Sequence, residues 1–190
     1  MTADHGESLG ERGLWYVHRG LSPEVMRVPL IVRLPRPVSR RVPSPVSVVD
    51  IPTTILSTLG LPAHEGLRGR DLIEAAGGAD WSERRIWLEH SDLVQVACRD
   101  ARFHFIHTLE PFDLRESDEI LPAGQTQLFR VAEDSNLDVD VGRELPGRLA
   151  GYEKLLTNWR ASALGANSTR RATTPEEESR LRQLGYVDGG

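Results

Sequence analysis

Several things are scarce in this sequence, and each shortage excludes a class of protein. A single cysteine, Cys98, rules out an internal disulfide. It lies in Val94-Gln95-Val96-Ala97-Cys98-Arg99, which reads as a half-buried strand, so the thiol reads as a packed, structural one. Of the 23 basic residues only Lys154 is a lysine. So strong a skew toward arginine reflects genome composition, and no single arginine is taken as a site signal. The net charge of −5 gives no reason to expect nucleic-acid binding. No apolar run approaches the roughly 20 residues that span a bilayer, and no signal-peptide pattern precedes Thr2. With 39% hydrophobic and 27% charged residues, the 190-residue chain suits one soluble globular domain, or one with a small annex.

What is present is concentrated at the start. Thr2-Ala3-Asp4-His5-Gly6-Glu7-Ser8-Leu9-Gly10-Glu11-Arg12-Gly13 sets a carboxylate beside an imidazole among glycines, and His18 follows a short loop away. Residues 3–20 read as a glycine-rich loop in which Gly6, Gly10, Gly13 and Gly20 allow tight turns and close approach to a ligand. An Asp-His pair in such a loop is a turn about as often as a site, and Glu7 and Glu11 read as solvated or structural. His64, His90, His104 and His107 read as surface or packing residues.

Further along, residues 28–34 form an apolar run broken by Pro29 and Arg33, which predicts a strand buried on both faces. Residues 35–45 are rich in proline, arginine and serine and read as a surface connection. Residues 50–59 predict a helix capped by Asp50, with Pro52 in its first turn and Gly60 ending it in a left-handed conformation. Its Ile51, Ile55 and Leu59 stripe is expected to pack against a sheet. Gly77-Gly78-Ala79-Asp80 marks a boundary. Beyond it, residues 85–89, 93–99, 102–107 and 127–131 predict short antiparallel strands, and residues 109–126 an acidic loop. Residues 146–161 are amphipathic through Leu149, Tyr152, Leu156 and Trp159, and Thr174 with Glu177 forms a capping box for a last helix that Gly185 can close.

Taken in order, these strings resemble the sulfatase branch of the alkaline phosphatase superfamily. The first matches its T-S/A-D-H-G-E-x-L-G-E-x-G metal segment. Residues 49–62 are similar to V-D-x-x-P-T-L-L-x-L-x-G-L-P, and Gly69-Arg70-Asp71-Leu72 to G-x-S-L. Residues 99–135 resemble a later R-x-x-x-x-K-Y-I strand and L-Y-D-L-x-x-D-P-x-E segment, with His104 where lysine is usual and Phe129-Arg130-Val131-Ala132-Glu133-Asp134-Ser135 in place of the usual run. The ending resembles L-R-x-L-G-Y.

The resemblance implies an α/β fold: the C-terminal part of an alkaline-phosphatase-like α/β/α sandwich, then a small antiparallel sheet with a C-terminal helix. Residues 1–76 would be the C-terminal part of the catalytic domain, 77–164 an α+β subdomain and 165–190 a tail with a short helix. Asp4 and His5 would bind a divalent metal ion, Ca²⁺ or Mg²⁺. His5 and His18 would contact a sulfate ester substrate, and His18 would protonate the leaving oxygen, a task suited to an imidazole. The family's C-x-P-S-R nucleophile motif has no counterpart, since Cys98 is followed by Arg-Asp-Ala-Arg, and one Asp and one His cannot fill a calcium site of six to eight ligands. The expectation is therefore a sulfuric ester hydrolase truncated at its N-terminus and inactive alone. The alternatives are a phosphate or phosphonate ester hydrolase of the same superfamily, and a non-catalytic, partner-binding remnant.

Overall fold

The computed structural model describes residues 1–11, 15–18, 20–34, 39–90, 93–113, 120–134, 136–165 and 174–183. Gly13, part of the proline-rich connection, the middle of the acidic 109–126 segment, Ser135 and Gly185 therefore lie outside the described residues. By its backbone contacts the chain forms two compact units, Met1–Glu153 and Lys154–Gly190.

The frame of the first unit is a four-stranded antiparallel sheet in the order β3 (Ile86–Glu89), β4 (Gln95–Arg99), β5 (Phe103–Thr108), β8 (Thr126–Arg130). All four predicted strands are present, displaced by one or two residues at their ends. Period-2 alternation explains how one sheet serves two cores. Leu88, Ala97 and Ile106 sit in register across three strands, and Ala97 and Ile106 share a cluster with Leu21, Phe129 and Leu137. Trp87, Cys98, Phe105 and Leu128 form the alternate row. Onto Phe105 stacks Tyr152, with ring centroids 5.7 Å apart, from the first turns of α4 (Pro146–Gly165).

Asp100 ties this side together. Its Oδ1 accepts from the backbone N–H groups of Arg102 and Phe103, closing the β4–β5 hairpin, and its Oδ2 accepts from the Tyr152 hydroxyl at 2.5 Å. Burial, and after it the Asp100 carboxylate, pushes the Cys98 thiol up to about 12. The Tyr152 hydroxyl is also raised, by burial and then by its bond to Asp100. Both groups keep protons in the folded chain at a pH where the unfolded chain sheds them. That stability is complete below the ordinary thiol value of 9.0 and fades as pH rises toward about 12. Between about pH 8 and about pH 10.5 the Cys98 part of the loss should be about 1–2 kcal/mol. Urea midpoints across that range should fall, and the fall should be shallower in Cys98→Ala; equal slopes would contradict the assignment.

Ahead of the sheet come two short pieces that carry the loop. β1 (Ser8–Leu9) and β2 (Trp15–Val17) pair as a small hairpin within what reads from sequence as loop alone. α1 (Pro23–Met26) follows, and flanking Leu21 belongs to the cluster on Ala97 and Ile106, with Met26 packed against it. The loop is thereby seated on the sheet through α1.

Residues 28–34 are not a strand. Met1 and Ile31 exchange two backbone hydrogen bonds, Ile31 N–H to Met1 O at 2.9 Å and the Met1 amine to Ile31 O at 2.7 Å, and this single pair does not build a ladder. Pro29 has no N–H to extend it. Instead Leu30 packs with Val42 and Val46 on the small core of Leu72, Ala75 and Trp81.

The next helix, α2 (Asp50–Thr58), ends as expected, with Gly60 at φ 66°, but its faces are inverted. Asp50 is not its cap. It is the first helical residue and fully buried, and its carboxylate accepts from the backbone N–H groups of Ser47 and Arg70, both at 2.8 Å, and from Arg84 Nη2 at 2.5 Å. Thr54 is buried beside it, bonding Asp50 O and accepting from Leu72 N–H. Ile55 and Leu59 face outward, because the helix is held by polar bonds on its other side and no sheet among the described residues covers the apolar stripe. Asp71 caps α3 (Leu72–Gly77), accepting from Ile73 N–H at 2.9 Å, and left-handed Gly78 closes it.

The acidic segment contributes a two-residue pair, β6 (Phe112–Asp113) with β7 (Ile120–Leu121). In the second unit α5 (Pro175–Gln183) carries the predicted capping box: Glu177 N–H donates to Thr174 Oγ1, and Thr174 N–H to Glu177 Oε2. No helix among the described residues is long and apolar enough to cross a membrane.

Candidate functional site

The three residues singled out at the start of the sequence converge. The His5 and His18 rings stack with centroids 4.5 Å apart and planes 24° from parallel. His5 Nε2 lies 3.9 Å from Asp4 Oδ2, and its Nδ1 is 2.9 Å from the Gly6 carbonyl oxygen, which orients Nε2 toward the carboxylate. Asp4 is held below the usual carboxylate range, first by its own backbone N–H, then by that of His5 at 3.1 Å, then by the charges of the two rings, those of His5 ahead of His18.

Local backbone geometry makes the convergence possible. Gly6 N–H donates to Val25 O at 2.7 Å, pressing the loop on α1. A methyl group at Gly6 would stand 2.0 Å from the Glu24 carbonyl oxygen, so the residue serves close approach rather than an unusual φ. Gly6→Ala is expected to lift the loop from α1 at a cost of about 1–3 kcal/mol. Contacts between the His5 and His18 rings in a nuclear Overhauser spectrum should vanish while signals from the sheet stay put. Gly10, at φ 124°, lies against the face of Trp15, which sets the hairpin that returns the chain to His18.

One neighbour was not singled out by the sequence reading. Glu7 Oε2 lies 3.8 Å from His18 Nδ1. A carboxylate two residues after an Asp-His pair carries no sequence signal of its own, because glutamates in loops are ordinarily solvated. The other described histidines do not join the group. His64 accepts from Gly66 N–H in a turn, His90 meets Phe112 edge-on, and His104 is buried on β5 with Nδ1 3.4 Å from Arg99 Nη1.

The arrangement is open. The Asp4 side chain is 86% exposed and that of His18 60%. Among the described residues no group of three or more His, Cys, Asp or Glu side chains lies close enough together to hold a metal ion. One carboxylate and one imidazole can contribute two ligands to a hard cation that takes six or more. The described residues do not by themselves fit a bound cation.

Residues 1–61, which contain the whole cluster, match the Sulfatase family model. Over these residues the chain resembles the sulfatase family. It is 32% identical over 102 residues to the uncharacterized sulfatase YidJ of Escherichia coli, a stretch that covers 51% of this chain and 20% of that protein. It is 28% identical over 147 residues to the choline-sulfatase of Rhizobium meliloti, covering 74% of this chain and 28% of that one. The chain therefore spans about a quarter of the length of these curated relatives. A solved structure in complex with its substrate D-glucosamine-2-N,6-O-disulfate superposes with a TM-score of 0.61 at 19% identity, over 90% of this chain and 35% of the other. Likeness at that identity carries the fold alone, and the fold is the α/β, alkaline-phosphatase-like one of the sulfatases. Sulfatases generally use a divalent metal ion and act on sulfate esters.

Proposed function

We propose that this chain takes part in sulfuric ester hydrolysis, with its first loop handling the sulfate group. The observation that carries the reading is the stacking of His5 on His18 beside Asp4 within the sulfatase-matched residues. Two imidazoles presenting N–H groups on one open surface can share the charge that gathers on sulfuryl oxygens. His18 would hold the proton destined for the leaving oxygen, and Glu7 at its Nδ1 would fix the ring's orientation. Asp4 and His5 would be two ligands of a divalent cation, Ca²⁺ or Mg²⁺, of which the oxygen-rich ligand demand favours Asp4 as the firmer. No step through the ion follows from two ligands.

The histidine ring signals test this. Inorganic sulfate added to the chain should shift the ring protons of both His5 and His18, and the shift at His5 should be smaller in His18→Ala, which removes one of the two rings. Rings that ignore sulfate would overturn the reading.

A further inference from the structure

We infer that a second anion-binding site lies beside the loop, in the cavity lined by Arg27, Arg99 and His104, and that it takes a carboxylate or sulfate group. The cavity holds about 510 Å³, enough for a small oxyanion and a few waters. Arg27 enters from the end of α1, and Arg99 and His104 from the paired strands β4 and β5, where the two residues are register partners. Thr2 and Asp4 line its other side, so it opens on the candidate active-site loop.

Three observations point to an anion there. Arg99 Nη1 stands 3.4 Å from His104 Nδ1, so two nitrogen-bearing groups face each other on one wall. His104 is almost fully buried and Arg99 is half-buried, which places this pair on an inner wall and not on the open surface. The ion pairs of the sheet region engage Arg84, Arg102 and Arg130, and among the described residues neither Arg27 nor Arg99 is paired with a carboxylate. The protonation of Arg99 is disfavoured first by burial and then by the charge of Arg27, while Asp100 opposes the shift. A half-buried guanidinium and an exposed one that repel each other are stabilised together by an oxyanion, which arginine binds in a bidentate fork.

Carboxylates also line the cavity: Asp100, whose charge offsets part of that on Arg99 while its oxygens accept from the hairpin and Tyr152, Asp4, which accepts from His5 N–H, and exposed Glu89; none of them forms an ion pair with Arg27 or Arg99 among the described residues. The function follows from position. If the loop handles a sulfate ester, as proposed above, this site would hold a second acidic group of the same substrate and select for polyanionic ones. Its role rests on that reading, and its binding of an anion does not.

Calorimetric titration of the full chain with inorganic sulfate tests the site. Binding should be saturable, and Arg99→Gln should weaken it about tenfold, the loss of one charge-assisted bidentate contact. Arg27→Gln, at an exposed position that the fold tolerates, should weaken it as well and covers the case in which Arg99→Gln does not fold. The arginine-dependent part of the binding should persist in His18→Ala, whatever that change removes at the loop: histidine shifts report on the loop, arginine variants on the cavity. Absence of saturable binding, or binding unchanged in the folded arginine variants, would overturn the inference. A sugar bearing two sulfates should bind about tenfold tighter than its monosulfated counterpart, an advantage that Arg99→Gln erases. Equal binding of the two sugars would overturn the substrate role.

Discussion

Replacing Asp50 by alanine is expected to cost about 3–5 kcal/mol, a large share of the stability of a domain of this size. The carboxylate is fully buried and serves three donors at once: Ser47 N–H, Arg70 N–H and Arg84 Nη2. It joins the start of α2 to the chain ahead of α3 and to the approach to β3. Alanine would strand all three donors away from water, and Arg84, whose side chain is 6% exposed, would be left a buried charge. The face of Trp81, 4.7 Å below the Arg84 guanidinium, offsets little of this, since an aromatic ring contributes about 1–2 kcal/mol to a desolvated cation. Urea unfolding should show the loss as a lower midpoint. Removing both partners, in Asp50→Ala with Arg84→Met, should be less damaging than the sum of the single changes, because no charge is then left alone. A loss under about 1 kcal/mol in Asp50→Ala would show that the network is dispensable.

This residue also shows where a sequence reading stops. Asp50 before an apolar run has the form of an N-cap, and its stripe of Ile51, Ile55 and Leu59 has the form of a core-facing helix. Both patterns are local. The bonds that decide the matter come from Arg70 and Arg84, 20 and 34 residues away, and no local pattern encodes them. Residues 28–34 repeat the lesson: an apolar run predicts a strand, yet a strand is a property of a ladder, and the run meets only Met1. Where the determining contacts are local, sequence pattern and structure agree. The four short strands follow from alternation and β-branched content, and the Thr174–Glu177 box and the Gly60 stop follow from capping chemistry.

The site divides in the same way. Asp4 and His5 are adjacent in sequence, and their proximity to His18 was legible through a family resemblance, not through periodicity. Glu7 beside His18, and the arginines lining the neighbouring cavity, were not legible, because they come together only once α1 and the sheet are in place.

The largest effect expected on activity is its absence: this chain alone should turn over no aryl sulfate, with Ca²⁺ or without it. Charge placed around a sulfuryl group lowers a barrier only when a nucleophile attacks the sulfur, and removing an activated nucleophile costs many orders of magnitude. No stretch of these 190 residues matches C-x-P-S-R. Cys98, the one thiol, is fully buried, and with its proton held up to about 12 it supplies almost no thiolate near neutrality. A discontinuous assay with an aryl sulfate at high enzyme concentration decides the point. Turnover that persists in Cys98→Ala but disappears in Asp4→Ala or His18→Ala would place an unrecognised nucleophile in the loop itself, and the division of labour proposed for its residues would have to be redrawn around it.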